Sequence, residues 1–142
     1  MFSKPEHGWC KFSIEDFEFW FSYLNDTPQD FIDQFKQSLD THIPFCVEME
    51  GEPTQCILVI DDYWFLHIIV NEYATIDEMK EYDDDLTLRS YKIYLIDFVQ
   101  EFIDDMEKYK EEFSNWQDDP KEYDLSELKG SLNKYKSDRG IK

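Results

Sequence analysis

Tyr91, Leu95, Phe98, Phe102, Met106, Tyr109, Phe113 and Trp116 recur at steps of three and four residues. At about 100° per residue these large apolar side chains share one side of a helix. Asp97, Glu101, Asp104, Glu111 and Glu112 fall on the opposite side, with Lys108 among them. The spacing predicts one amphipathic helix from about Ser90 to Gln117, roughly 40 Å long at the usual rise per residue. Asp118, Asp119 and Pro120 stop it. A helix of this kind must bury its apolar side, so the rest of the chain has to supply a surface for it.

That surface reads as a sheet. In "CKFSIEDFEFWFSYL", Phe12 and Ile14 share one face and Phe17, Phe19, Phe21 and Tyr23 the next, with a slip of phase at Glu15-Asp16. This pattern predicts strands over about 9–14 and 17–24 joined by a tight turn. Trp20 and Leu24 make the second strand apolar on its other side as well, which predicts cover on both faces. "IPFCVEMEGEPTQCILVIDDYWFLHIIVNEY" reads as a three-stranded meander, with turns at Gly51–Thr54 and at Asp61-Asp62. Phe45, Val47 and Met49, then Cys56, Leu58 and Ile60, then Trp64, Leu66, Ile68 and Val70 form its apolar side. Leu86 and Leu88 alternate with Thr87 and Arg89, which suits a short edge strand.

Between these runs lie shorter helices. Thr27 as N-cap, Pro28 at the first helical position and Asp30 in the first turn open a helix buried through Phe31, Ile32, Phe35 and Leu39. Thr75 and Glu78 form a capping box for one over about 76–82. A last helix, capped by Asp124, carries Leu125, Leu128, Leu132 and Tyr135. The fold class is therefore α+β: a mainly antiparallel sheet of about five strands, a short N-terminal helix and a long C-terminal amphipathic helix. The 142 residues make a single domain, 1–142.

Charge restricts function more than fold does. The net charge is -19, while 42% of the residues are hydrophobic, too apolar a chain for a disordered acidic tail. Residues 121–142 are mildly basic, so the acid belongs to the body. From Asp97 to Asp119 nine acids stand against Lys108 and Lys110, an excess that i,i+4 pairing inside the helix cannot use. A field of this sign repels nucleic acid and anionic membrane surfaces and attracts basic proteins. Phe17, Phe19 and Phe21 resemble an RNA-stacking platform only until Glu15, Asp16 and Glu18 are read beside them.

No catalytic motif is present: no GxSxG, Walker loop, GxGxxG or HExxH. Cys10, Cys46 and Cys56 contain no CxxC and read as reduced thiols, with no metal or cofactor site. A hairpin turning at Asp61-Asp62 places Cys56 and His67 nearly opposite each other, a nucleophile and base without a third orienting group. Asp83, Asp84 and Asp85 lack the glycine and the ligand alternation of a calcium loop. "MFSKPEHGWCKF" has no apolar run, which predicts a cytoplasmic protein without a membrane span.

Size, acidity, the α+β element order and the segment "SYLNDTPQDFIDQF" resemble small bacterial immunity proteins of polymorphic-toxin and contact-dependent inhibition systems. The resemblance implies a cognate toxin as partner and a cytoplasmic location in the producing cell; without a catalytic motif, no enzymatic activity is expected. The expected function is inhibition of a basic toxin domain, such as a nuclease, through an acidic surface carrying aromatic anchors. The candidate partner-binding residues are Asp61, Asp62, Tyr63, Trp64, Glu72, Tyr82, Asp83, Asp84, Asp85, Asp97, Glu101, Asp104 and Trp116. A DNA mimic using the long helix as a rod of phosphate-like charges is the alternative, and a structural or adaptor domain with charge for solubility is the third reading. The sequence leaves the oligomeric state open.

Overall fold

The computed structural model describes residues 1–52, 54–61, 65–71 and 86–140, with the backbone alone at Asn71 and Leu86. The predicted helix over 76–82 lies outside the described residues.

Strands β1 (Trp9–Ile14) and β2 (Phe17–Ser22) form an antiparallel hairpin with Ile14 opposite Phe17. Glu15 takes φ 49° in the turn. Cys10, Phe12, Phe19 and Phe21 point inward and are buried. Trp20 pairs with Lys11 on the other face and is 54% exposed, so the expected cover on both sides of β2 is corrected. The N-terminal residues run beside β1, with the Ser3 N–H donating to the Lys11 carbonyl at 2.9 Å, and bury Phe2. They return through His7-Gly8, both at positive φ (53° and 80°), as a type I′ turn requires. Gly8 is needed twice over, because a Cβ there would stand 2.5 Å from the Tyr23 ring.

Helix α1 (Thr27–Thr41) begins one residue earlier than expected. Asp26 occupies the cap position, and Thr27 is fully buried instead of capping. Phe31, Ile32, Phe35 and Leu39 form its buried stripe as predicted, and His42 ends it in the left-handed conformation, φ 59°.

The three-stranded meander is extended by the expected short edge strand. β3 (Phe45–Gly51), β4 (Thr54–Asp61), β5 (Phe65–Asn71) and β6 (Leu86–Lys92) pair in sequence order, all antiparallel. The described strands thus divide into a two-stranded and a four-stranded sheet in place of one sheet of about five. Phe45, Val47, Met49, Cys56, Leu58, Ile60, Leu66, Ile68 and Val70 all face the core and are at most 3% exposed.

The long helix is corrected most. Residues 90–92 belong to β6, and the helical part divides into α2 (Leu95–Lys108) and α3 (Lys110–Ser114), with the break at Tyr109. The two ends of the apolar stripe have different targets. Phe98 meets Phe35 (ring centroids 5.7 Å apart) and Phe102 meets Phe31 (5.4 Å) on α1. Phe113 meets Phe2 (5.9 Å), and Trp116 meets Phe21 (5.8 Å) beneath the hairpin. A bend at Tyr109 lets both ends be buried. Helix α4 (Ser126–Asp138) then packs on α1 through Leu128, Leu132 and Tyr135. Leu125, not Asp124 as expected, takes its cap position; Asp124 stands one residue earlier, its Oδ1 accepting the Ser126 N–H at 2.9 Å.

Candidate functional site

Every described aspartate and glutamate lies outside the buried core, whose polar members are Ser22, Thr27, Ser38 and Ser131. Folding of this sequence leaves no alternative. The apolar runs suffice to fill the interior, and an unpaired buried carboxylate would cost several kcal/mol, roughly. The described carboxylates therefore lie on the exterior, where some of them are used within the fold.

Three of the thirteen candidate residues belong to α2, and a fourth, Trp116, follows α3. Asp97 is exposed on α2 and meets no cation among the described residues. Asp104 is exposed and accepts a hydrogen bond from Gln100 Nε2 at 2.9 Å. Glu101 is different: its Oε1 receives the Met1 ammonium at 2.6 Å, and Asp105 holds the same ammonium at 3.1 Å and the Phe2 N–H at 2.9 Å. Burial alone would lower the ammonium pKa, but the bonds and charges of Glu101 and Asp105 leave it raised. The acidic ridge expected to be unpaired is thus partly neutralised at its centre. Trp116 is corrected outright, since at 5% exposure it is a core side chain against Phe21 and Phe113. An anchor must be available to a partner, and this one is occupied.

Asp61 closes β4, and its Oδ2 lies 2.6 Å from His67 Nε2. Asp62, Tyr63, Trp64, Glu72, Tyr82, Asp83, Asp84 and Asp85 lie outside the described residues. Their flanks are described: Asp61 and Phe65 pair at one end of the β4–β5 ladder, while Asn71 and Leu86 pair at the other end of β5. Six residue steps of strand separate those ends, about 20 Å.

The suspected Cys56–His67 pair is not formed. Cys56 opposes Val70 and is fully buried, while His67 opposes Val59 on the outer face of the sheet. Burial pushes the Cys56 thiol up to about 12, which keeps it un-ionised. His67 instead has two partners that sequence reasoning missed as a set, Asp61 at Nε2 and Ser90 Oγ at Nδ1 (2.8 Å). The register places the three together, because Ser90 opposes His67 across β5–β6. The chain of hydrogen bonds orders the imidazole on an open strand face.

Two grooves are described elsewhere. One, about 800 Å³, runs between α2–α3 and the segment before α4, and carries both signs, including the Lys129–Glu107 ion pair. The other, about 530 Å³, has Tyr23 and His7 on its wall and Glu112 and Asp118 at its rim. Neither is lined by Asp61, His67 or Ser90. Among the described residues no group of three or more His, Cys, Asp or Glu could hold a metal ion, and no helix is long and apolar enough to cross a membrane.

The mildly basic C-terminal segment is fastened to the acidic body. Lys121 pairs with Asp26, Lys129 with Glu107, and Glu127 accepts Lys36 at 2.7 Å. Tyr123 donates to Asp26 Oδ1 at 2.7 Å and accepts from Trp116 Nε1 (3.1 Å) and Gln117 Nε2 (2.7 Å).

Exposed large apolar side chains are the remaining feature. Trp20, Leu24, Phe65, Leu88 and Tyr94 are between 45% and 68% exposed. Alternation alone carried a signal for Trp20, which shares its strand face with Glu18. Comparison with protein-family models, with curated proteins and with solved structures found no match.

Proposed function

We propose that this chain is a non-catalytic binding protein for a basic protein partner, acting as an immunity protein that occupies the cationic surface of a toxin domain. One observation carries the reading: the folded chain keeps its carboxylates at the surface, and most of the described ones meet no described cation. A nuclease is the kind of toxin that fits, because an enzyme acting on a polyanion presents a positive active-site surface. Occupation of that surface by an acidic protein excludes the substrate and is steered at up to about 10⁹ M⁻¹s⁻¹ at low salt. Exposed aromatic and aliphatic side chains on the same exterior, Trp20 and Leu88 among them, supply the apolar contact that affinity needs beyond steering.

The DNA-mimic alternative asked for a rod about 40 Å long. With the break at Tyr109 and Glu101 bonded to the N-terminal ammonium, the observed helices are less suited to that role. The test is capture on the tagged full chain from an extract of its source cells at low salt, followed by identification and reconstitution with purified components. The expected result is one stoichiometric basic protein. Its association should slow at least about tenfold between 20 and 300 mM salt. Retention of several nucleic-acid enzymes that duplex DNA displaces would favour the mimic, and retention of no basic protein would refute the proposal.

A further inference from the structure

We infer that the outer face of the four-stranded sheet is the docking surface for that basic partner, a conclusion that rests on the proposed function. The inner face is sealed by the core. The outer face has no cover among the described residues, and one row across it is apolar. Register aligns Ile57, Ile69 and Leu88 side by side across β4, β5 and β6, with Leu88 68% exposed. Phe65 lies toward the Asp61 end of the same face at 45% exposure. Side chains this apolar and this open are common singly, but a row across three adjacent strands forms a continuous strip.

Three features decide the occupant. First, β3 flanks the strip with Glu48 opposite Ile57 and with Glu50, which accepts from Gln55 Nε2 at 3.3 Å and from the Glu52 N–H at 3.2 Å; this acidic edge suits lysine and arginine, while Lys92 stands across the sheet from it, opposite Phe65. Second, a second copy would bring the same rim and a further net charge of -19 against it, which opposes self-association. Third, the polar group in the middle is already satisfied. His67 is bonded at both ring nitrogens, to Asp61 and Ser90, so a partner can cover it without leaving an imidazole nitrogen unpaired. An apolar strip, an internally bonded polar centre and an acidic edge match a protein that presents an apolar contact ringed by cations.

The experiment uses the full chain and the purified basic protein retained from the source-cell extract. Leu88→Glu and, separately, Phe65→Ser are compared with the wild type by titration calorimetry, after circular dichroism and urea unfolding show that each variant folds. Both side chains are solvent-facing, so folding should survive. Loss of affinity by about 30-fold or more in Leu88→Glu, and a smaller loss in Phe65→Ser, is expected. An Asp97→Asn/Asp104→Asn variant on α2 should slow association without changing dissociation. Salt-dependent binding that neither sheet variant changes by more than about twofold would overturn the docking face and leave the basic-partner reading intact. A wild-type dimer in sedimentation that Leu88→Glu dissolves would make this a self-interface and overturn the inference. Failure to retain any basic protein would remove both conclusions together.

Discussion

Tyr123 offers the sharpest test of how the acidic body is held together. Its hydroxyl has one proton and two lone pairs, and all three are used: it donates to Asp26 and accepts from Trp116 and Gln117. Tyr123→Phe keeps the ring and removes only this junction. The Trp116 indole N–H is then left without its acceptor at a side chain only 5% exposed, a loss of about 1–3 kcal/mol. The bond to the Asp26 carboxylate adds less than a fully buried charged bond would, because Asp26 is 29% exposed and keeps Lys121. The expected total is about 2–3 kcal/mol, read as a lower urea midpoint with unchanged m-value. The pH dependence gives an independent check. Burial, reinforced by the Asp26 carboxylate, raises the Tyr123 pKa in the folded chain. The stability it contributes is complete below the unfolded tyrosine value, about 10, and falls as pH rises toward the folded value. The gap between wild type and Tyr123→Phe should therefore narrow above about pH 10. A loss below about 0.5 kcal/mol at neutral pH would show that the junction is not a structural tie.

Other consequences follow from burial and charge. Phe102→Ala deletes a fully buried ring packed on Phe2, Phe31 and Phe35 and should cost about 3–5 kcal/mol in urea unfolding. Thr27→Val should stabilise the fold by about 1 kcal/mol, because Thr27 Oγ1 is buried without a partner among the described residues. Iodoacetamide at pH 8 should add one group to the native chain, at exposed Cys46, since burial holds Cys10 and Cys56 at about 12; denatured chain should take up three. Raising salt from 20 to 300 mM should increase unfolding stability by about 1 kcal/mol while weakening partner binding. Equal signs of the two effects would contradict the electrostatic reasoning.

Period-two alternation located β1 through β5 because strand side chains alternate whatever covers them. Which face stays open is not local information, and Trp20 shows it: both sides of β2 are apolar in sequence, yet one is left to solvent. The stripe from Tyr91 to Trp116 was legible as a side but not as one rod. Spacing of three and four reports where side chains point, and it survives a break at Tyr109. Tyr91 satisfies the helical spacing and the strand alternation equally, and pairing with Leu66 decides for the strand. Cys56 and His67 failed by register: a two-residue turn would oppose them, whereas Asp61 opposite Phe65 sends their side chains to opposite faces. Trp116 failed because an aromatic at an element end looks like an anchor until its packing partners are known.

The net charge of -19 exceeds the magnitude of about 2–8 that solubility asks of a small domain. Excess beyond that destabilises the chain that carries it. Three lysines fasten one element to another: Lys121 to the start of α1, Lys129 to α2, Lys36 to α4. The same chemistry is available to an external basic segment wherever a carboxylate is left over. On the sheet's outer face Glu48, opposite Ile57, meets no cation among the described residues. Repulsion within the folded chain and the proposed attraction toward a cationic protein are then two results of one charge distribution, and binding of such a partner would stabilise the fold by relieving the first through the second.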